Sequence, residues 1–250
     1  MTHDRNFDGL SDKFANNIYG TTKGRLRHEL LIYHLQSNGI LADLGNKAVI
    51  DVGCGLGHMC HSLAQFGASP LGIDISEESI QQNLQNPLLQ DCDFKVASFH
   101  DISDRFDLVV CHAMLEWVKD PLTALEKITQ LCVKRGVISL SFFSEEAHRY
   151  TNMVYGNFDY VARGLQTKSK VKLNPQAPVS YQRVLHWLNA QDELEVVQTA
   201  GIRCVHDNMR HIEQQEQKYA ELLAAEKQYG VLEPYKFMGR YFHIIVRKIA

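Results

Sequence analysis

Hydrophobic positions in the first 143 residues form short apolar runs that alternate with amphipathic stretches about five times. Leucines recur at helical spacing within 24–44, and the next run, 47–52, is apolar and ends at glycines, which is typical of a buried strand. The same pattern predicts strands at 70–75, 94–96, 106–111 and 136–143, and helices at 57–66, from Ser76 onward and at 121–133. Such alternation predicts a doubly wound, mostly parallel α/β sheet.

The alternation ends near residue 143. The remaining pattern predicts helices at 145–163, 181–190 and 213–229, strands at 195–205 and 241–247, and a loop at 164–180. No internal repeat interrupts it. We therefore expect a single sheet domain with helical additions rather than two independent domains.

Composition narrows the class of protein. The 250 residues are 45% hydrophobic and 22% charged, with a formal net charge of −3, which excludes a disordered chain and argues against nucleic-acid capture by the whole surface. Six scattered cysteines indicate free thiols rather than a disulfide framework or a zinc site. With no signal peptide and no run near the ~20 apolar residues of a spanning helix, we expect a cytoplasmic protein without membrane association or metal.

The sharpest chemical signal is Asp-Val-Gly-Cys-Gly-Leu-Gly at 51–57, where a predicted strand passes into a helix. Gly53, Gly55 and Gly57 let the backbone approach a ligand, and the free N–H groups of the helix face it. Asp74 ends the next strand, 21 residues after Gly53, where a carboxylate can accept hydrogen bonds from a ribose diol. The alternative is a tight turn followed by an ordinary helix cap.

With this loop, the sequence resembles the class I S-adenosylmethionine-dependent methyltransferases over residues 47–143. The resemblance implies that S-adenosylmethionine is the cofactor, that the glycine loop underlies its amino-acid part and that Asp74 holds its ribose. It also implies that residues after the third strand flank the adenine, and that Cys111 and His112 lie near the methionine moiety. The cofactor-binding residues expected on this basis are Asp51, Gly53, Cys54, Gly55, Gly57, Asp74, Ile75, Ser98, Phe99 and His112.

The residues after the fourth predicted strand limit the classes of methyl acceptor that fit the sequence. Amino-directed enzymes of this class often carry Asn/Asp-Pro-Pro-Tyr there and cytosine C5 enzymes carry Pro-Cys, whereas this chain has Cys-His-Ala-Met-Leu-Glu-Trp at 111–117. We interpret Cys111 as a buried strand-end thiol rather than a nucleophile. An oxygen acceptor, or one that needs little activation, is the expectation that remains.

Segments outside the core extend the resemblance to nearly the whole chain. They are 17–27, 112–118, 152–161, 201–203 and 239–243, and together they resemble the family of transfer RNA 5-carboxymethoxyuridine methyltransferases. The resemblance implies methylation of the wobble-uridine carboxylate to a methyl ester, with the anticodon stem-loop as partner. A carboxylic acid of pKa near ~4 is already ionised at neutral pH, so no catalytic base is needed. Cys54-Gly55-Leu56 departs from the expected Gly-Gly-Glu and removes an acid.

On this resemblance the single domain of residues 1–250 has four parts. They are an N-terminal helical lid (1–45), a cofactor-binding core (46–143), a substrate-binding cap (144–192), and C-terminal strands and a helix (193–250) that complete a seven-stranded Rossmann-like sheet. Arg27 becomes a clamp on the cofactor carboxylate, for which a guanidinium suits bidentately. Candidates that position the reactants are Tyr19, His112 and Arg203.

The predicted cap has a charge asymmetry that the net charge conceals. Residues 160–191 contain five basic side chains and no Asp or Glu. The expected RNA-binding residues are Tyr155, Arg163, Lys168, Lys170, Lys172 and Arg240, with aromatic rings upstream that can stack an unpaired base. A solvated lysine loop is the alternative for this window. For the whole chain, the alternatives are a methyltransferase for a small carboxylic acid or quinone precursor, and a non-catalytic module; the oligomeric state stays open.

Overall fold

The computed structural model describes residues 21–166 and 177–250. Within these ranges the centre is a seven-stranded sheet in the order β3-β2-β1-β4-β5-β7-β6. Strands β1 to β5 run parallel, and β7 is antiparallel to both β5 and β6. The strands are β1 (Val49–Val52), β2 (Leu71–Asp74), β3 (Asp93–Val96), β4 (Phe106–His112), β5 (Cys132–Phe143), β6 (Leu194–Ile202) and β7 (Tyr241–Lys248). The predicted fold class, a doubly wound and mostly parallel seven-stranded sheet, is confirmed.

Helices cover both faces of this sheet, and four of the nine that the structure describes begin at a side chain that caps a free N–H group. Ser76, Asp120, Ser144 and Ser180 each accept a backbone hydrogen bond at the first turn of α3, α4, α5 and α7. The helices are α1 (Thr22–Ser37), α2 (His58–Gln65), α3 (Glu77–Gln85), α4 (Pro121–Gln130), α5 (Glu145–Val154), α6 (Phe158–Ala162), α7 (Tyr181–Asn189), α8 (Gln214–Gln217) and α9 (Tyr219–Tyr229).

Two apolar layers hold the helices to the sheet. On one face, leucines of α1 such as Leu30 pack with Leu63 of α2 and Leu222 of α9 against Leu108 and Val110 of β4. On the other face, α4 and α7 cover the alternate residues of β1, β4, β5 and β7. Side chains at successive strand positions therefore point to different helices, and the odd-numbered positions of β7 face α1.

Several predicted boundaries are wrong for local reasons. The first helix ends at Ser37 rather than 44, and Gly39 follows with a φ of 70°. The helix predicted at 145–163 is two helices, because Gly156 interrupts it at a φ of 77°. Strand β6 stops at Ile202 rather than 205, since Arg203 adopts a φ of 63°. Helix α4 ends at Gln130 rather than 133 and β5 begins at Cys132 rather than 136, and the helix predicted at 213–229 is split at Lys218.

The described residues also bear on the membrane, metal and thiol expectations. No described helix has the length and apolar character that crossing a bilayer requires. In the same ranges, no three His, Cys, Asp or Glu side chains are grouped as a metal site. All six cysteines are free thiols, and all except Cys92 are buried, as the sequence predicted for unpaired thiols.

Candidate active site

The glycine loop joins β1 to α2 at the carboxyl edge of the sheet. Gly53, Gly55 and Gly57 have φ values of 74°, 50° and 71°, a region that residues with a Cβ enter only with strain. A Cβ added to Gly53 would lie 2.8 Å from the Cγ of Met114. The alternating glycines are therefore required by the backbone path, and at Gly53 also by a side chain arriving from the loop after β4.

Side chains from β2 and α3 fasten this loop. The Asp74 carboxylate accepts the Gly55 N–H and the Ser76 N–H through different oxygens, each at 2.9 Å. The Asn83 amide donates to the Gly55 carbonyl at 2.8 Å. The sequence analysis missed Asn83, whose only signal is a polar residue at a buried position of an amphipathic helix. Asp74 thus shapes the loop and also faces the cleft beside it.

A cleft of about 550 Å³ opens on one side of Gly53. The predicted residues Asp74, Ile75, Ser98 and Phe99 line it together. Ser98 caps the short turn Phe99–Asp101 by accepting the His100 N–H, which holds the buried Phe99 in the wall. The lining that the sequence did not assign comprises Val52 and Ile73 from the strands, and Ala113, Met114, Trp117 and Val118 from the loop after β4. An apolar cleft with one carboxylate suits a flat heterocycle joined to a sugar.

A second cavity of about 400 Å³ lies on the other side of Gly53, where Arg27, Asp51, Cys54 and His112 meet. Asp51 is 3% exposed, and burial raises the pKa of its carboxyl to about 7, although the Cys60 thiol donates to it at 3.6 Å. A cation entering this cavity would favour the ionised carboxylate. The two cavities share Gly53, so they form the two ends of one site along the sheet edge.

His112 ends β4 and forms part of the wall of the second cavity. Its Nε2 shares a 2.8 Å hydrogen bond with the Ser139 hydroxyl, and burial lowers the pKa of its imidazole to about 3. His112 is therefore neutral at physiological pH. The preceding Cys111 is fully buried, and burial raises the pKa of its thiol well above the ordinary value, in agreement with its interpretation as a structural thiol.

Three arginines from distant parts of the chain meet near Tyr241. The guanidinium carbons of Arg27 and Arg203 lie 5.0 Å and 5.6 Å from the centroid of its ring. Arg203 donates to both oxygens of Asp207, at 2.9 Å and 2.5 Å, and Arg240 approaches the same carboxylate at 3.9 Å. Although burial opposes it, hydrogen bonds from His206 and Arg203 hold the pKa of Asp207 well below its ordinary value.

This arginine cluster (Arg27, Arg203 and Arg240) adjoins the second cavity through Arg27. Asp207 was missed by the sequence analysis, and its signal is the four-residue spacing from Arg203. Because Arg203 sits in a left-handed turn after β6, its side chain turns back to this carboxylate. Arg203 and Arg240 share the single carboxylate of Asp207, so an anion that enters beside them would meet two guanidinium groups that are only partly neutralised.

The predicted cap presents exposed aromatic rings. Tyr155 and Phe158 are 72% and 66% exposed, and a surface cavity beside them is lined by 156–160 and Arg163. His148 connects the cap to the arginine cluster, since its two ring nitrogens lie 3.3 Å from the Tyr160 hydroxyl and 3.3 Å from Arg240. The predicted site residues Tyr19, Lys168, Lys170 and Lys172 lie outside the described residues.

A family model described as a methyltransferase domain matches residues 43–230. The tRNA 5-carboxymethoxyuridine methyltransferase of Escherichia coli (strain K12) is 35% identical over 98% of this chain and 97% of its own length. The ubiquinone biosynthesis O-methyltransferase of Haemophilus ducreyi is 31% identical, but over only 48% of this chain and 54% of its own length.

Solved structures with the same fold are more distant in sequence. The magnesium protoporphyrin IX methyltransferase of Synechocystis, solved with bound SAH, matches 98% of this chain and 96% of its own chain with a TM-score of 0.61 at 16% identity. A methyltransferase of Mesorhizobium loti matches 92% of this chain and 100% of its own chain with a TM-score of 0.56, also at 16% identity. At such identities the likeness extends to the fold alone.

Proposed function

The chain belongs to the S-adenosylmethionine-dependent methyltransferases, in the family of the tRNA 5-carboxymethoxyuridine methyltransferase, and from this premise we propose that it methylates the carboxylate of 5-carboxymethoxyuridine at the tRNA wobble position. The product is the methyl ester, the partner is the anticodon stem-loop, and the proposed compartment is the cytoplasm. The observation that carries the proposal is the arginine cluster, which adjoins the second cavity through Arg27. An anionic acceptor needs such cationic anchors next to the methyl donor.

The residues around Gly53 fit S-adenosylmethionine. A glycine loop with no room for a Cβ at Gly53, the Asp74 carboxylate and an apolar slot at Ile75 and Phe99 suit an adenosine. Arg27 and Asp51 suit a carboxylate and an ammonium group. When bound, S-adenosylmethionine supplies an electrophilic methyl group on a positively charged sulfur. We propose that Arg27, Asp51, Gly53, Cys54, Gly55, Gly57, Asp74, Ile75, Ser98, Phe99 and His112 form its binding site.

The chemistry proposed for this site needs no proton transfer. A carboxylate is already ionised and can attack the methyl carbon in line, so the chain's task is alignment and the exclusion of water. A neutral His112 fits that task, since an imidazolium next to the cationic sulfur would be repelled. Cys111 is too deeply buried to take part as a nucleophile.

The anchors for the acceptor carboxylate are proposed to be Arg203 and Arg240. Asp207 already neutralises part of their charge, which leaves modest rather than tight anchoring of the incoming carboxylate. A weak contact preserves the nucleophile, because a strong ion pair would stabilise the ground state that must react. The aromatic rings of the cap, Tyr155 foremost, are proposed to stack on unpaired anticodon bases, and Arg163 with the lysines at 168, 170 and 172 to contact phosphates.

The test is methylation of defined RNA. Protein and labelled S-adenosylmethionine are incubated with anticodon stem-loops that carry 5-carboxymethoxyuridine, with unmodified uridine as the matched control. We expect label in the modified RNA only, and its release by mild alkali as a methyl ester requires. Label that resists alkali, or that enters the unmodified control equally, would refute the proposed acceptor.

The same assay separates the alternative acceptors. Small carboxylic acids and quinone precursors are offered at millimolar concentration in place of RNA. Turnover on these compounds with none on the modified stem-loop would identify a small-molecule enzyme. Binding of S-adenosylhomocysteine in calorimetry without turnover on any acceptor would identify a non-catalytic module.

A further inference from the structure

A continuous row of hydrogen bonds crosses the buried face of the sheet behind His112. His112 Nε2 lies 2.8 Å from the Ser139 hydroxyl, which lies 2.9 Å from Nε2 of His243. Nδ1 of His243 lies 3.0 Å from Nδ1 of His34. We call these four residues the histidine chain. It connects β4, β5, β7 and α1 and ends at the wall of the second cavity.

The strand register explains how these side chains meet. His112 pairs with Ser141, and Ser141 pairs with His243, so the three residues stand side by side across β4, β5 and β7. Paired residues and those two positions apart share a face, so Ser139 points to this face too. Helix α1 covers the face and supplies His34. Three strands and a helix thus bring polar side chains together where apolar packing would otherwise be expected.

Three members of the histidine chain are almost completely buried, so they need hydrogen-bond partners within the protein. His34 and Ser139 are 0% exposed and His243 is 1% exposed. A buried polar group that lacks a partner costs free energy, so polar chains in cores persist where each inner member is satisfied. The inner nitrogens and the Ser139 hydroxyl are all satisfied within the histidine chain. Nothing in the proposed cofactor site requires His243 or His34, which lie behind the cavity.

The single hydroxyl proton of Ser139 couples the two imidazoles that it joins. When Ser139 donates to one Nε2, it can only accept from the other, so the tautomers of neutral His112 and His243 are linked. The Nδ1–Nδ1 bond extends the link to His34, because one of those nitrogens must donate. With neutral rings, the whole chain has just two proton arrangements, and they differ in which nitrogen of His112 carries hydrogen.

We propose that Ser139 and His243, supported by His34, are positioning residues that hold His112 as a neutral imidazole in one ring orientation at the methyl-transfer site, with its tautomer tied to that of His243. The inference rests on the proposed function, because His112 adjoins the reacting groups only there. A fixed neutral ring bounds the cavity without adding positive charge beside the sulfonium.

The chain offers a matched pair of variants. Ser139→Ala removes the hydroxyl that joins the two imidazoles. Ser141→Ala removes an equally buried hydroxyl on the same strand and face, and that hydroxyl has no hydrogen-bond partner within the described residues. Ser139→Thr restores a hydroxyl. His34→Phe breaks the outer link without touching Ser139 or His112.

The experiment compares these variants by imidazole nitrogen NMR and by kinetics on the modified stem-loop. For Ser139→Ala we expect the His112 nitrogen shifts to change, because Nε2 loses its hydrogen-bond partner and its tautomer is no longer tied to that of His243. The kcat should fall about tenfold, the effect of losing one orienting hydrogen bond, while the KM for RNA stays unchanged. His34→Phe should show a smaller change of the same kind, Ser139→Thr should recover kcat, and Ser141→Ala should match the wild type.

Unchanged His112 nitrogen shifts in Ser139→Ala, or equal effects of Ser139→Ala and Ser141→Ala, would overturn the proposal. So would a loss of kcat that Ser139→Thr does not recover. If the wild type does not methylate the stem-loop, the proposed function has failed on its own. The nitrogen spectra of the two alanine variants then still decide whether the histidine chain holds His112.

Discussion

The two ends of the candidate site are built in different ways. The cofactor end is formed mainly by backbone and by residues close in sequence, namely the loop 51–57 and the strand end at Asp74. The end proposed for the acceptor is formed by side chains from the turn after β6 and from the residue before β7, which lie near Tyr241 and beside Arg27 of α1. A backbone-built site tolerates little change in shape, whereas a site built from separate side chains can change its acceptor by single substitutions.

The buried ionisable groups in and behind the site make the unfolding free energy of the protein depend on pH. Burial lowers the pKa of His34 to about 4 and that of His112 to about 3, whereas burial raises the pKa of Asp51 to about 7. Below pH 6.5 the unfolded chain protonates these histidines and the folded chain does not, so their contribution to stability is lost as the pH falls towards 4. The Asp51 contribution has the opposite sign and declines as the pH rises from 3.8 to about 7.

We therefore expect His34→Phe to flatten the rise in unfolding free energy between pH 4 and 6.5 by roughly 2–3 kcal/mol, and Asp51→Asn to steepen it. Chemical denaturation across this pH range measures both effects. His211→Gln is the control, because that ring is largely exposed and meets water in both states. If the unfolding free energies of His34→Phe and the wild type changed with pH in parallel, the lowered pKa of His34 would be contradicted.

The next largest effect is expected at the glycine loop. Gly53→Ala forces a Cβ against Met114 at a positive φ, whereas Gly55→Ala has a positive φ but open space around the new atom. We expect the dissociation constant for S-adenosylhomocysteine to rise about 100-fold for Gly53→Ala and less than about tenfold for Gly55→Ala. Calorimetry measures both, and equal losses would show that strain alone, and not the cleft wall, sets the effect.

Charge reversal at Lys168, Lys170 and Lys172 tests the RNA side of the comparison. If these lysines contact phosphates, replacing all three by Glu should raise the KM for the stem-loop by about tenfold or more and reduce its dependence on salt. The affinity for S-adenosylhomocysteine should not change. Replacing the three by Gln separates lost attraction from added repulsion, and an unaltered salt dependence would mean that these three lysines do not contact RNA.

The smallest expected effect concerns the acceptor anchors. Arg240→Gln removes a guanidinium that lies 4.3 Å from the centroid of the Phe143 ring and approaches Asp207, so the KM for the stem-loop should rise about tenfold without a change in cofactor affinity. Arg247→Gln is the matched control, since Arg247 lies towards the opposite end of β7 in an exposed pair with Glu195. An unchanged KM for Arg240→Gln would show that Arg240 does not anchor the acceptor.

The cofactor end of the site could be predicted from the sequence more completely than the end proposed for the acceptor. The different construction of the two ends explains this difference. The glycine loop and Asp74 form a local pattern, so their juxtaposition followed from strand order alone. His243 was missed because its importance depends on β7 inserting between β5 and β6, an arrangement that no local spacing reveals. Asp207 was missed although its four-residue spacing from Arg203 is a local signal. The predicted ends of elements were wrong where one residue with positive φ decided the boundary, Gly156 after a helix and Arg203 after strand β6.

Asp207 gives the resting protein an internal counter-ion. Arg203 and Arg240 already share the Asp207 carboxylate. Chloride or free phosphate must therefore compete with a carboxylate that is covalently part of the protein. Only an anion that also gains contacts elsewhere, as a tethered wobble nucleotide would, can win that competition. The shared carboxylate therefore lowers the affinity for every anion, so that a free anion stays unbound at concentrations at which the proposed acceptor, with its additional contacts, still binds.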